Sequence, residues 1–141
     1  MAVRVEALEV RLARLDEVIS DLEEFAGMDR AALLESRRDM LAVEHSLQIG
    51  ASLLFDIGSH ILSAGYGVSA GDYEEIVTLL AQRGVISADL RRRLKGIGGF
   101  RNILVHEYMN LDLELVLDFL GKAPEEFDDF AQEIRSWLSA R

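Results

Sequence analysis

Four side chains able to act on a phosphodiester lie within eight residues: Arg101, Asn102, His106 and Tyr108, in the run Arg101-Asn102-Ile103-Leu104-Val105-His106-Glu107-Tyr108. An imidazole can take or give a proton near neutral pH. A guanidinium offers a fixed fork of donors to phosphate oxygens. RNA supplies its own nucleophile, so breaking its backbone needs a base, an acid and positive charge at the phosphoryl group, and no metal. Asn102 can orient the imidazole or donate to the phosphate. A plain structural account also fits the spacing: His106 finishing core packing, Arg101 paired with an acid, Tyr108 a core aromatic.

These residues must be positioned by a helix, because Ile103, Leu104 and Val105 between them need a core to face. At ~100° per residue, Arg101 and His106 lie roughly 140° apart and do not share one narrow face. Asn102 and His106, four apart, do share one. Arg101 and Tyr108, seven apart, align roughly 10 Å from each other along the axis. One straight helix therefore makes no compact Arg–His pair. Either the helix is irregular at Gly96, Gly98 and Gly99, or a second copy completes the site. A two-fold dimer with this helix near its axis would bring two arginines and two histidines into one cleft.

The rest of the chain reads as helix throughout. One proline and a majority of helix formers indicate an all-α fold. A first helix is expected from about Val3 to Phe25, with Val5, Leu8, Leu12, Leu15, Ile19 and Leu22 as its apolar stripe and Gly27 as its stop. Asp29 caps a second, long helix from Arg30 to Leu62, in which Gly50 and Gly58 mark close crossings. Residues 63–71 are a Gly/Ser-rich loop. Asp72 caps a short helix from Tyr73 to Arg83, ended by Gly84, and Ser87 caps the next. The motif helix is expected from about Phe100 to Tyr108. A short helix from Asn110 or Asp112 to Leu120 follows, and Pro124 opens a last one ending near Trp137. The expected architecture is a single-domain antiparallel helical bundle over residues 1–141, with two long amino-terminal helices and shorter carboxyl-terminal ones.

With 141 residues, half of them hydrophobic, the chain can bury a core, and without cysteine it has neither disulfides nor thiolate metal sites. No uninterrupted run approaches the ~18 apolar residues of a membrane helix. The amino-terminal residues lack a secretory pattern, so a cytoplasmic protein with no membrane partner is expected. The net charge of −10 opposes nonspecific nucleic-acid binding. Its distribution is uneven: residues 83–101 hold six Arg or Lys against Asp89 alone, and this basic strip runs directly into the motif. An acidic protein with one basic strip can hold an anionic substrate there; a solvated helix face accounts for the same composition.

Other candidates carry less. Asp56 and His60 are four apart and can share a face; with a carboxylate elsewhere they could bind a metal, and otherwise they serve as support near the cleft or as a satisfied polar pair between helices. The chain has no Glu-x-x-His pair of the di-iron kind. His45 has no partner at obvious spacing. Gly96-x-Gly-Gly lacks the Lys-Ser/Thr of a phosphate loop and a preceding strand.

The run from Arg101 to His106 resembles the RX4-6H motif of HEPN domains, with four intervening residues. Its extension to Tyr108 is similar to the HepT-like toxin branch, which pairs with a minimal nucleotidyltransferase antitoxin. The likeness extends from Arg38 to about Trp137. Asp56-Ile-Gly-Ser-His60 resembles that branch's long second helix, and Tyr73-Glu-Glu-Ile and Leu79-Leu-Ala-Gln-Arg-Gly-Val-Ile resemble its middle helices. Gly99-Phe100 precedes the motif as in the branch. The resemblance implies a HEPN fold and a homodimer. It further implies a metal-independent endoribonuclease needing no cofactor, with Arg101 and His106 as the catalytic pair and Asn102 in support. Tyr108 would be the hydroxyl to which the antitoxin transfers AMP, blocking RNA by charge and bulk. The rival implied role is a binding module that partners a nucleotidyltransferase without cutting RNA. A helical dimer that only scaffolds a complex is a third.

Overall fold

The computed structural model describes residues 3–106 and 109–141, so Tyr108 and Glu107 lie outside the described residues. Its elements are α1 (Val5–Ala26), α2 (Arg30–Glu35), α3 (Arg37–His60) continued by a π-helical turn (Ile61–Gly65), α4 (Tyr73–Gln82), α5 (Ala88–Arg93), α6 (Ile97–His106) and α7 (Leu113–Ser139). The all-α bundle expected from the sequence is the fold observed.

The frame is α1, α3 and α7. On α1 the stripe Leu8, Leu12, Leu15, Ile19 and Leu22 is buried as its spacing requires, while Val5 remains exposed. The helix runs antiparallel to both partners. At its start, the Arg4 backbone N–H donates to His60 Nε2 at 3.1 Å, at the far end of α3. Midway along, Asp16 meets Arg135 near the end of α7 at 2.6 Å. The core between them centres on Phe127 and Phe130, both fully buried and each contributing on the order of 2–3 kcal/mol. Gly50 lets α3 approach Phe127: a Cβ there would sit 2.5 Å from the ring. Gly58 does the same for Ile76 and Leu80 of α4. Both glycines are the close crossings that the sequence suggested.

Three expectations need correction. The long second helix is broken at Ser36, which leaves the helical region and accepts from the Asp39 N–H at 3.2 Å to start α3 anew. Asp29 caps only the six-residue α2. The expected loop from residue 63 begins as helix, because α3 continues through the π turn to Gly65. Finally, the two short carboxyl-terminal helices are one helix of 27 residues, with Pro124 inside it. A proline in a helix interior costs about 3 kcal/mol. That cost is offset because Pro124 is buried and its neighbours Ala123 and Phe127 are core residues.

By length and mean hydropathy (1.2), Arg37–Gly65 is apolar enough to cross a membrane, although its apolar run is interrupted. In this fold it is the central helix, packed against α1, α4, α6 and α7.

Glu126 is the one buried charged residue among those described. Burial pushes its carboxyl above the ordinary range, and the opposing pull of Lys122 and Arg93 is smaller. Its folded-state pKa exceeds the unfolded one. The side chain is therefore most favourable to folding below the unfolded carboxyl pKa, and that contribution is lost as pH rises through the folded value. Glu126→Gln should raise Tm at pH 7, and the gain should vanish below about pH 4. Thermal unfolding at both pH values checks this; equal Tm at pH 7 would show the charge to be fully compensated.

Candidate active site

The motif helix begins earlier than its glycines suggested. Gly96 adopts φ +90°, a conformation only glycine takes cheaply, and α6 then runs unbroken from Ile97 through His106. Its first turn is capped from outside. The Glu74 carboxylate of α4 accepts from the Gly96 N–H at 2.8 Å and the Gly98 N–H at 3.3 Å. This satisfies donors that a helix start leaves open and places negative charge at its positive end. Gly98 allows the approach, since a Cβ there would lie 2.7 Å from Tyr73 Cβ. Ile97, Phe100 and Leu104 anchor α6 in the core, and Phe100 stacks on Phe119 of α7 at 4.1 Å between centroids.

Arg101 turns toward α3 and α4. Its Nε donates to Ser52 Oγ at 3.2 Å, and its guanidinium lies 4.9 Å above the Tyr73 ring. Tyr73 in turn stacks on Phe55 at 4.2 Å. The arginine is half-buried in this column, which holds it in one orientation; such a cation–π contact is worth about 0.5–2 kcal/mol. Both of its partners are neutral. Asn102 and His106 are exposed, roughly 100° and 140° around the helix from Arg101, together with Gly99. The faces thus diverge as helical geometry required. Because α6 is regular, an irregularity at the glycines does not unite Arg101 with His106 in one chain.

Sequence reading did not single out Ser52, Tyr73 or Glu74 for the site. Tyr73 and Glu74 were legible only as the start of a helix after the Asp72 cap. Nothing in the local sequence connects them with a residue more than twenty positions on.

Asp56 and His60 do not support this helix. They line an open groove with Arg4, just before α1, and Ala7 and Arg11 of α1, where His60 is satisfied by the Arg4 N–H. Among the described residues, no three His, Asp or Glu side chains gather as a metal site would need. His45 is exposed.

An all-helical bundle that presents an arginine and a histidine, five residues apart, from one short helix capped by its neighbour is the arrangement of a HEPN-type domain. The chain belongs to the HepT-like ribonuclease family, whose sequence model matches residues 15–134 and so spans the whole site. It is 27% identical to the tRNA nuclease HepT of Aphanizomenon flos-aquae over 132 residues, 93% of this chain and 89% of that protein. It is 33% identical to the mRNA nuclease HepT of Shewanella oneidensis over 92 residues, 64% of this chain and 68% of that one. Among solved structures, it superposes on the tri-AMPylated HEPN toxin of Shewanella oneidensis in complex with an MNT antitoxin. There the TM-score is 0.81 at 26% identity, over 92% of this chain and 96% of that chain. The cytosolic Bacillus subtilis protein YutE shares the fold, with a TM-score of 0.84 at 22% identity.

Proposed function

We propose that this chain is the toxin of a toxin–antitoxin pair: a cytoplasmic, single-domain HEPN endoribonuclease acting as a homodimer. The observation that carries the reading is the geometry of α6 within a HepT-like chain. One side holds Arg101 fixed by Ser52 and Tyr73, and the other presents Asn102 and His106 to solvent. Two copies of α6 across a two-fold axis put two histidines and two arginines into one cleft. In that cleft one imidazole takes the proton of the RNA 2′-hydroxyl as its oxygen attacks phosphorus. The bond to the 5′-oxygen breaks, and the second imidazole gives that oxygen its proton. Arg101 bears on the phosphoryl oxygens and Asn102 orients either imidazole or phosphate. The products are a 2′,3′-cyclic phosphate and a free 5′-hydroxyl, and no metal or cofactor enters the balance.

Tyr108 is the proposed switch. A nucleotidyltransferase antitoxin would direct its phenol oxygen to the α-phosphorus of ATP, with pyrophosphate leaving and the phenolic proton released. The AMP so attached places negative charge and bulk two residues from His106, excluding RNA. The Shewanella oneidensis complex, a tri-AMPylated HEPN toxin with its MNT antitoxin, supports this reading.

The purified chain should cut RNA to cyclic-phosphate ends, with or without a chelator present; RNA left intact by the active dimer would sink the proposal. Incubation with the antitoxin and ATP should add AMP mass. An adduct that persists in Tyr108→Phe would move the switch elsewhere.

A further inference from the structure

The basic strip of the sequence resolves into a built feature. Between α4 and α5, at the amino end of α6, lies an open groove of about 840 Å³ lined by Arg91, Arg92, Lys95, Gly96 and Gly99, with Glu74 as its one acidic residue. Its cations are not equivalent. Arg92 is tied to Asp89, and the neighbouring Arg93 to Asp89 and to Asp129 at 2.8 Å. Arg91 and Lys95 are exposed, and among the described residues neither has a carboxylate at ion-pair distance. Glu74 already takes two of the donors at the start of α6, the Gly96 and Gly98 N–H groups, so the charge that holds an anion in this groove comes chiefly from these two side chains.

Gly99 connects the groove to the active face. It lines the groove, is exposed, and a Cβ added to it would meet nothing within 4 Å. Packing therefore does not require a glycine here. What its missing side chain does is leave the helix backbone open at the head of the line Gly99, Asn102, His106, which spans roughly 10 Å of one helix face.

We infer that this groove binds backbone phosphates of the RNA flanking the scissile bond, with the strand passing over Gly99 to reach His106. The inference rests on RNA being the substrate. Arg91 and Lys95 supply the charge, and the acidic remainder of the chain repels the strand elsewhere.

The test measures binding of a 2′-O-methylated RNA of about 20 nucleotides, which lacks the nucleophile, as a function of salt. Arg91→Gln/Lys95→Gln is compared with a charge-matched control on the exposed side of α1, Arg11→Gln/Arg14→Gln. The groove variant should bind about tenfold more weakly at moderate salt, and its log–log salt slope should fall by about 1.4, the value for two lost phosphate contacts on a single strand. The control should follow wild type. Gly99→Glu, which the open space accommodates without unfolding, should also weaken binding. Groove variants that bind like the control overturn the inference, whether or not wild type cuts unmodified RNA. Binding lost only in the groove variants, alongside an uncut substrate, supports the groove and sinks the ribonuclease reading instead.

Discussion

His106→Ala is expected to leave the chain folded and to lower RNA cleavage by about 10²–10⁴-fold, the range for removing a positioned general acid or base. The fold should survive because the imidazole is exposed and the α6 anchors are Ile97, Phe100 and Leu104. If both copies of His106 act in one cleft, the loss should sit at the upper end, since a single substitution removes base and acid together. Mixed dimers sharpen the test. Wild type combined with an excess of His106→Ala should lose activity faster than the dilution of wild-type chains alone. Activity falling only in proportion to dilution would mean that each protomer cuts independently. Unchanged cleavage by the variant would remove His106 from the chemistry altogether.

The second large effect is opposite in sign at two adjacent glycines. Gly98→Val should cost about 2–3 kcal/mol, because its Cβ would lie 2.7 Å from Tyr73 Cβ and neither backbone can yield cheaply. In a chain of this length that lowers Tm by roughly 5–10 °C. Moving α6 off α4 also stretches the Glu74 cap and slides Arg101 from the Tyr73 ring, so activity should fall beyond what unfolding explains. Gly99→Ala meets no atom and replaces the poorer helix former, so it should gain up to about 1 kcal/mol. Thermal melts of the two variants decide the matter. Equal shifts in one direction would show that the two positions are not distinguished by their surroundings.

The parts of the fold that were legible in the sequence are those fixed by local chemistry. The α1 stripe, the caps at Asp72 and Ser87, the glycine crossings at 50 and 58 and the all-helical class depend on neighbours a few residues away. The break at Ser36 was not read: the apolar pattern runs across it and conceals the local cap signal of a serine three residues before Asp39. Pro124 misled for the opposite reason: its local penalty is real, and tertiary burial of α7 outweighed it. For the site, the run from Arg101 to His106 and the angular separation of its faces could be read directly. The column of Phe55, Tyr73 and Arg101 and the cap by Glu74 could not. They join residues 18 to 28 positions apart, through contacts that exist only once α3, α4 and α6 have packed.

The neutral partners of Arg101 have a thermodynamic consequence. Arg14, Arg30, Arg93 and Arg135 each face a carboxylate, as expected in a chain with 25 acids against 15 basic residues. Arg101 instead rests on a hydroxyl and an aromatic ring, and among the described residues it has no carboxylate at ion-pair distance. Its charge is left for dissolved ions to balance in the free protein. Under the proposed function, a phosphate arriving at this guanidinium would displace no internal rival; it would send a mobile counterion back to bulk, so part of the affinity there would be solvent entropy that added electrolyte takes away.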